Sequence, residues 1–407
     1  MKNNKNLFIN GPINYIKLKN DNKIVWIFMD IHEDIRYQEK CEDYEAKDLD
    51  KFLFKELNSS TEPIDFFLEI YPTDINTEFK YNNNDQYIIE TRKIFRKLYK
   101  NRENNKNIRL HYIDIRDYTF SQEILDLFEN IINNFNIINL TPTINLLQKL
   151  NNILSIQLKF INDIKNKNKN KINYEKIDLI NLKIQNDVNK EYTTGMLLDF
   201  GFLQLLDKIF FKYNNDSTKK IINNYFQKNY IDDVNKLIDY INDFIKELNE
   251  IEIILYNDYN KLNIFDINLE NYKTFKNFSY GSYKYTLDNK YSYKIQTKLD
   301  TIHNVLYIIN DIFMDCFFIR RLIEKEYINK SIVYTGAYHS IIYIWFLVKY
   351  FNYKIDDYDY INEKFTIEEI ENIIKKSNSY TDLFEYLLPK NFKQCINLSS
   401  HIVEDVK

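Results

Sequence analysis

Short apolar runs alternate with amphipathic stretches over roughly the first 115 residues of the chain. Four of these runs predict strands: Ile13–Lys19, Ile24–Met29, Ile64–Glu69 and Ile108–Ile113. Apolar residues recur at helical spacing within 41–58 and 87–99, which predicts a helix before the third strand and another before the fourth. Strands that alternate with helices indicate βα units and therefore a mainly parallel sheet.

The pattern changes between residues 120 and 265, where amphipathic stretches follow one another with few Gly or Pro residues. The predicted helices of this part are 121–135, 143–165, 176–190, 194–213, 217–228 and 231–256. A polar loop is predicted over 166–171, and an irregular segment over 267–295. We interpret this part of the chain as an all-helical block.

The strand pattern returns near the C-terminus, after a helix predicted at about 297–327. Ser331–Thr335 predicts a strand that leads through Gly336 into a helix over 338–351. We therefore predict an α/β fold with a mainly parallel central sheet built from the N- and C-terminal parts and a large inserted helical block. The predicted divisions are 1–118 and 328–407 for the two parts of the α/β core, the second with peripheral helices, and 119–327 for the insertion.

Composition and charge narrow the range of functions. The chain has 407 residues, of which 44% are hydrophobic, and a net charge of −4. This near balance argues against a protein whose main role is to coat nucleic acid or an anionic membrane. Charged residues interrupt the long apolar stretches, so no membrane span is predicted. The N-terminus, residues 1–10, is polar and has no apolar core, so no signal peptide is predicted. The composition leaves open whether the helical block binds a protein partner. Abundant Asn, Ile, Lys and Tyr point to an AT-rich genome.

The three cysteines, Cys41, Cys316 and Cys395, lie far apart and form no CxxC motif. This spacing argues against a disulfide framework and against a cysteine-rich zinc site. A reducing compartment fits it best, so an intracellular location is expected, namely the cytoplasm, or the host cytoplasm for a viral protein.

Polar side chains follow the predicted strands at the point where each strand ends. They are Asp30, His32, Glu69, Asp114, Arg116 and His339, the last just after the rare Gly336. Because the carboxyl ends of parallel strands meet at one edge of a sheet, these groups are expected to converge.

Such a set of imidazoles and carboxylates suits a divalent metal such as Zn, Mn or Fe, which could activate a water molecule. The expected metal ligands are His32, Glu69, His339, Asp30 and Asp114. The expected catalytic residues are His32, Glu69, His339 and Arg116, with Arg116 facing an anionic substrate or a developing oxyanion.

Simpler interpretations compete with this hypothesis. Asp30, Asp34 and Asp114 could cap helices, because acidic residues after a strand often do so. A histidine near a strand end is more often a satisfied polar residue than a ligand, and His111 is expected in the core or on the sheet. Glu33, Asp34 and Arg36 are candidates of second rank.

The order strand-x-His, strand-Glu and strand-Gly-x-x-His resembles the TraB/TIKI/erythromycin-esterase/ChaN-like group. Gly336-Ala337-Tyr338-His339 matches its closing Gly-x-x-His and Glu69 its strand-terminal Glu, whereas Met29 stands where a Gly is expected before His32. The resemblance implies an α/β core with helical insertions and a metal-dependent hydrolase activity. The chain is also similar to uncharacterised proteins of large DNA viruses, which implies no activity.

Two alternatives remain. Asp30-Ile31-His32 resembles the Asp-x-His of calcineurin-like metallophosphoesterases, but their Gly-Asp and Gly-Asn-His motifs are missing. A non-enzymatic viral structural or interaction module, with the helical block as its binding surface, is the other. The phosphate-binding, dinucleotide, nucleophile-elbow and HExxH motifs are all missing, and the substrate stays unknown.

Overall fold

The structure is a computed structural model that describes residues 7–33, 39–75, 86–103, 105–119, 121–133, 135, 140–166, 195–261, 290–398 and 402. Asp34, Arg36, the predicted helix 176–190, and most of the predicted segments 166–171 and 267–295 lie outside these residues. The chain forms two compact units. Unit 1 contains residues 1–115 and 317–407, and unit 2 contains residues 116–316.

The chain has a mixed α/β fold. The described strands are β1 Leu7–Asn10, β2 Asn14–Lys19, β3 Ile24–Asp30, β4 Lys47–Asp48, β5 Ile64–Leu68, β6 Ile108–Tyr112, β7 Lys330–Gly336, β8 Lys354–Tyr358 and β9 Cys395–Leu398. The described α-helices are α1 Leu49–Ser59, α2 Tyr87–Lys100, α3 Ser121–Asn133, α4 Thr141–Lys165, α5 Gly195–Phe211, α6 Asp216–Phe226, α7 Asp232–Lys261, α8 Lys290–Glu324, α9 Ala337–Tyr350, α10 Ile367–Lys376 and α11 Phe384–Leu387.

The central sheet of unit 1 has six strands in the order β6-β5-β7-β3-β2-β8. The four strands β6, β5, β7 and β3 run parallel to one another. At the other edge, β2 pairs antiparallel with β3, and β8 pairs antiparallel with β2. The mixed sheet therefore joins strands from both ends of the sequence. The predicted parallel strands are present, and the antiparallel edge makes the sheet mixed.

The apolar runs become strands because both faces of the sheet are covered. All five residues of β5 are buried, as expected for a strand between two layers of helices. Successive side chains point to opposite faces, so Phe66 packs on Phe95 of α2 at 5.9 Å between ring centroids, and Phe67 packs on Phe318 of α8 at 5.2 Å. This double cover leaves the strand ends as the place where polar side chains can collect.

A second, three-stranded sheet in unit 1 was not predicted. It has the order β4-β1-β9 and brings the first strand against the last described one, with Asn10 opposite Cys395. The predicted helix over 41–58 begins only at Leu49. The residues before it instead turn at Asp43, whose carbonyl accepts from the Ala46 N–H, and lead into β4.

The prediction that the cysteines do not pair is wrong for Cys41 and Cys395, which form a disulfide. They lie 354 residues apart in sequence. The pairing of β1 with β9 carries Cys395 to the start of the chain, and the Asn10 side chain accepts from the backbone N–H of Cys41. Cys316 is a free, buried thiol.

Unit 2 is helical in its described residues, and aromatic side chains fill part of its interior. Phe313 of α8 packs against Phe226 at 5.3 Å and against Tyr230 at 4.7 Å between ring centroids. By length and composition alone, Tyr293–Glu324 could cross a membrane, but 67% of its most apolar window is buried within the protein. That burial is what a core helix of a globular protein also shows.

Candidate functional site

The carboxyl ends of three neighbouring parallel strands meet in unit 1. In the sheet, β7 lies between β5 and β3, and Gly336 at the end of β7 is in register with Asp30 at the end of β3. On the other side, Leu68 of β5 is in register with Tyr334 of β7, so Glu69 leaves β5 beside the same strand end. The register therefore gathers Asp30, Glu69 and Gly336 at one edge.

His32 lies between two carboxylates. Its Nδ1 is 2.7 Å from Asp30 Oδ2, and its Nε2 is 3.4 Å from Glu69 Oε2. The His32 side chain is 34% exposed, whereas those of Asp30 and Glu69 are only 1% and 6% exposed. The imidazole is thus the group of this cluster that meets solvent.

The backbone of His32 has a φ of 52°, in the left-handed region that non-glycine residues rarely adopt. Such a conformation costs about 1–3 kcal/mol and persists where the surrounding structure holds it. Here the side-chain amide of Gln86, just before α2, donates to the His32 carbonyl at 2.6 Å. The strained turn directs the imidazole back over the end of its own strand.

Buried donors hold both carboxylates. Gln394 Nε2 donates to Asp30 Oδ1 at 3.1 Å, and the Gly336 N–H donates to Glu69 Oε2 at 2.9 Å. Each carboxylate therefore contacts both His32 and a donor elsewhere in unit 1. This arrangement fixes where the imidazole can lie.

The two carboxylates set the protonation of His32. Burial by itself lowers the pKa of His32, but Glu69 and Asp30 outweigh it and raise the pKa to about 10. His32 is therefore an imidazolium at neutral pH. Beneath it, burial and then the Asp30 carboxylate raise the pKa of the Tyr334 hydroxyl, which stays neutral.

Gly336 leaves space beside the gap between His32 and Glu69. A Cβ at this position would lie 3.4 Å from His32 Nε2 and 3.6 Å from Glu69 Oε2. The φ of Gly336 is −52°, which any residue adopts, so backbone strain does not require glycine here. What the missing side chain provides is room beside Nε2 and Oε2.

The structure also describes the other three predicted site residues, Asp114, Arg116 and His339. Asp114 is fully buried after β6. His339 is buried in the first turn of α9, with its ring against Tyr343. Arg116 belongs to unit 2, where it pairs with Asp311 at 2.9 Å. Asp30, His32 and Glu69 contact one another through the two ring nitrogens of His32.

The described residues contain no group of three His, Cys, Asp or Glu side chains arranged to hold a metal ion. The expected set of His32, Glu69 and His339, with Asp30 and Asp114, does not assemble there as a three-ligand centre. The metal prediction therefore has no support from the described part of the chain.

A second buried histidine belongs to a closed network. His111 Nε2 lies 2.6 Å from Asp65 Oδ1, and Arg321 Nε donates to His111 Nδ1 at 2.9 Å. Because Arg321 can only donate, His111 carries its proton on Nε2 and is neutral. Burial lowers its pKa, in the same direction. Both nitrogens are occupied, which fits the predicted core position.

Sequence reasoning missed Gln394, Gln86 and Arg92, whose Nε donates to the backbone carbonyl of Glu69 at 2.8 Å. None of the three follows a predicted strand. One available signal is that Gln86 immediately precedes, and Arg92 lies on, the helix after the Glu69 strand. Gln394 gave no local signal, because only the pairing of β1 with β9 brings it to Asp30.

The comparisons with known proteins point to one family. Residues 7–404 match the family described as "Family of unknown function (DUF5847)". Two similar proteins of Acanthamoeba polyphaga mimivirus are "Uncharacterized protein R706", 30% identical over 96% of this chain and 95% of its own length, and "Uncharacterized protein R160", 30% identical over 91% and 90%. "Uncharacterized protein R161" of the same virus is 27% identical over 96% of both chains.

No solved structure matches this chain significantly. The viral relatives agree with the predicted similarity to proteins of large DNA viruses. Neither the family nor these relatives support the resemblance to the TraB/TIKI/erythromycin-esterase/ChaN-like group. What the site can do must therefore be argued from its geometry.

Proposed function

The protein belongs to DUF5847, a family of unknown function, and we propose that it is a hydrolase that works by acid–base catalysis at Asp30, His32 and Glu69. One observation carries the proposal. A partly exposed imidazolium faces a buried carboxylate across 3.4 Å, beside a glycine whose missing side chain leaves room next to the gap. An acid and a base held side by side can each exchange a proton with a neighbouring atom of one bound substrate.

Each residue has a role in the proposed reaction. Glu69 Oε2 takes a proton from a water molecule, whose oxygen then bonds to the electrophilic centre of the substrate. His32 Nε2 gives its proton to the departing atom as the old bond breaks. The proton then returns from Glu69 to His32 across the gap, which restores the starting state. Asp30 holds Nδ1 and keeps the imidazole oriented.

The test uses substrate classes, because the geometry does not select one. Purified protein is assayed against chromogenic esters, anilides and phosphoesters, beside His32→Ala and Glu69→Gln. We expect hydrolysis in one class and a loss of about 100-fold or more in each variant. Asp311→Asn, which changes an ion pair of unit 2, serves as control. Equal activity in His32→Ala and the parent protein would refute the proposal.

Metal analysis of the same preparations separates this proposal from the metal-dependent hydrolase predicted from sequence. That alternative requires stoichiometric zinc, manganese or iron that is lost in His32→Ala. A calcineurin-like phosphoesterase would in addition need more ligands around Asp30 than the described residues supply.

The non-enzymatic alternative requires a binding surface on the helical block. The large hydrophobic side chains exposed among the described residues of unit 2 are Ile253, Ile254, Tyr293 and Ile308. This alternative would be favoured if the protein hydrolyses no substrate class and if His32→Ala binds a protein partner as well as the parent protein does.

A further inference from the structure

Gln394 links the site to the disulfide. Its side-chain amide donates to Asp30, its backbone N–H donates to the carbonyl of Glu39 at 3.0 Å, and its carbonyl accepts from the N–H of Gly11 at 3.1 Å. The next residue, Cys395, is bonded to Cys41. Two neighbouring residues therefore carry the contact to Asp30 and the covalent link.

One half of the Gln394 side-chain amide, the Oε1 atom, does not contribute to stability. The residue is fully buried, and its Oε1 has no hydrogen-bond partner among the described residues. A buried acceptor left unsatisfied is destabilising, and an apolar side chain would avoid it. What only an amide supplies here is the donor that faces Asp30 Oδ1.

We propose that Gln394 is a positioning residue for Asp30 and His32, and that reduction of the Cys41–Cys395 disulfide releases it, so that the redox state of this disulfide regulates the site. This regulation rests on the proposed hydrolase function, whereas the positioning of Asp30 and His32 by Gln394 is a property of the protein without substrate.

The redox step balances with a dithiol as reductant. The disulfide takes up two electrons and two protons and becomes two thiols, while the dithiol loses both and closes to its own disulfide. Both cysteines are partly exposed, so a small dithiol can reach them. The ladder between β1 and β9 is made by backbone pairing, and we expect it to hold β9 after reduction, so that only the segment at Gln394 loosens.

The readout is the proton on His32 Nδ1, which is hydrogen-bonded to Asp30 Oδ2 at 2.7 Å. Its exchange with solvent is followed by NMR in the full chain with labelled histidine and without substrate. We expect about tenfold faster exchange after reduction with dithiothreitol, in the double variant Cys41→Ser/Cys395→Ser, and in oxidised Gln394→Met. Reduction of Gln394→Met should add no further change, because the contact is already lost.

Two matched controls accompany these variants. Gln296 is also buried and donates through Nε2 to a carboxylate, Asp300, at 3.0 Å in unit 2. Gln296→Met should leave the exchange of the His32 proton unchanged. Dithiothreitol should have no effect on the double cysteine variant.

Each part can fail separately. Unchanged exchange in oxidised Gln394→Met would overturn the positioning role. Unchanged exchange after reduction, with two new thiols titrated and the circular dichroism unaltered, would overturn the redox control. If reduction unfolds the protein, the proposed redox regulation is also overturned, because the disulfide then has a structural role. These outcomes are independent of catalysis, whose failure would be seen in the His32→Ala assay.

Discussion

At the scale of single residues, the site is defined by charge around one imidazole. Asp30 and Glu69 contact the two nitrogens of His32 and raise its pKa to about 10, above the usual 6.5. Because the pKa is raised in the folded state, this ionic contact stabilises the folded protein fully below about pH 6.5, and the stabilisation is lost as the pH rises through about 10. The proposed acid form of His32 has the same upper limit.

Asp30→Asn should lower the pKa of His32 toward 6.5, because one of the two carboxylates is removed. An NMR titration of the imidazole measures this change. Asp311→Asn, which alters an ion pair in unit 2, should leave that pKa unchanged. A pKa that stays near 10 in Asp30→Asn would show that Asp30 does not stabilise the imidazolium.

Gly336→Ala should leave the fold intact and remove access to the site. The backbone conformation suits alanine, and the new methyl group would lie 3.4 Å from His32 Nε2. We expect a change in unfolding free energy within about 1 kcal/mol and a loss of any activity that depends on His32. Denaturant unfolding and the hydrolysis assay measure the two effects. Full activity in this variant would place the substrate elsewhere.

At the scale of elements, Asp65 joins two parallel strands through a buried network. It lies on β5 and binds both Arg109 and His111 of β6, with Arg109 Nε at 2.8 Å. Asp65→Asn should destabilise the protein by about 3 kcal/mol, because it leaves the arginine without its carboxylate. Asp311→Asn, which removes a carboxylate more exposed than that of Asp65, should cost about 1 kcal/mol or less. Urea unfolding compares the two, and equal losses would contradict the argument.

The same network should make the protein sensitive to acid. Burial lowers the pKa of His111 below 6.5, so the unfolded chain binds a proton here that the folded chain resists. The unfolding free energy should therefore fall as the pH drops below about 6.5. The fall should be shallower in His111→Gln, and identical pH profiles in the two proteins would rule out this cause.

The sequence predicts a strand or helix correctly where the residues of that element alone show its hydrophobic pattern. The apolar runs that became β3, β5, β6 and β7 are long enough to stand out, and the polar residues that follow them led to Asp30, His32 and Glu69. By contrast, β1 and β9 have only four residues each, and they are strands because they pair with each other. Gln394 and the disulfide depend on that pairing, so no local pattern could predict them.

At the scale of the whole molecule, a single disulfide spans 354 residues. Its loss in Cys41→Ser/Cys395→Ser should lower the unfolding free energy by about 4 kcal/mol, chiefly by freeing the unfolded chain. Guanidinium unfolding of the oxidised protein and of this variant measures the difference. Dithiothreitol should lower the stability of the parent protein by a similar amount and leave that of the variant unchanged.

The disulfide therefore keeps the oxidised chain closed into a loop even when the protein is unfolded. The denatured, oxidised protein contains a closed loop between Cys41 and Cys395. A ring of this size has a smaller hydrodynamic radius than the open chain. In detergent gels the unreduced protein should therefore migrate ahead of the reduced one, and the ratio of the two bands would report the redox state of the protein in the compartment from which it was taken.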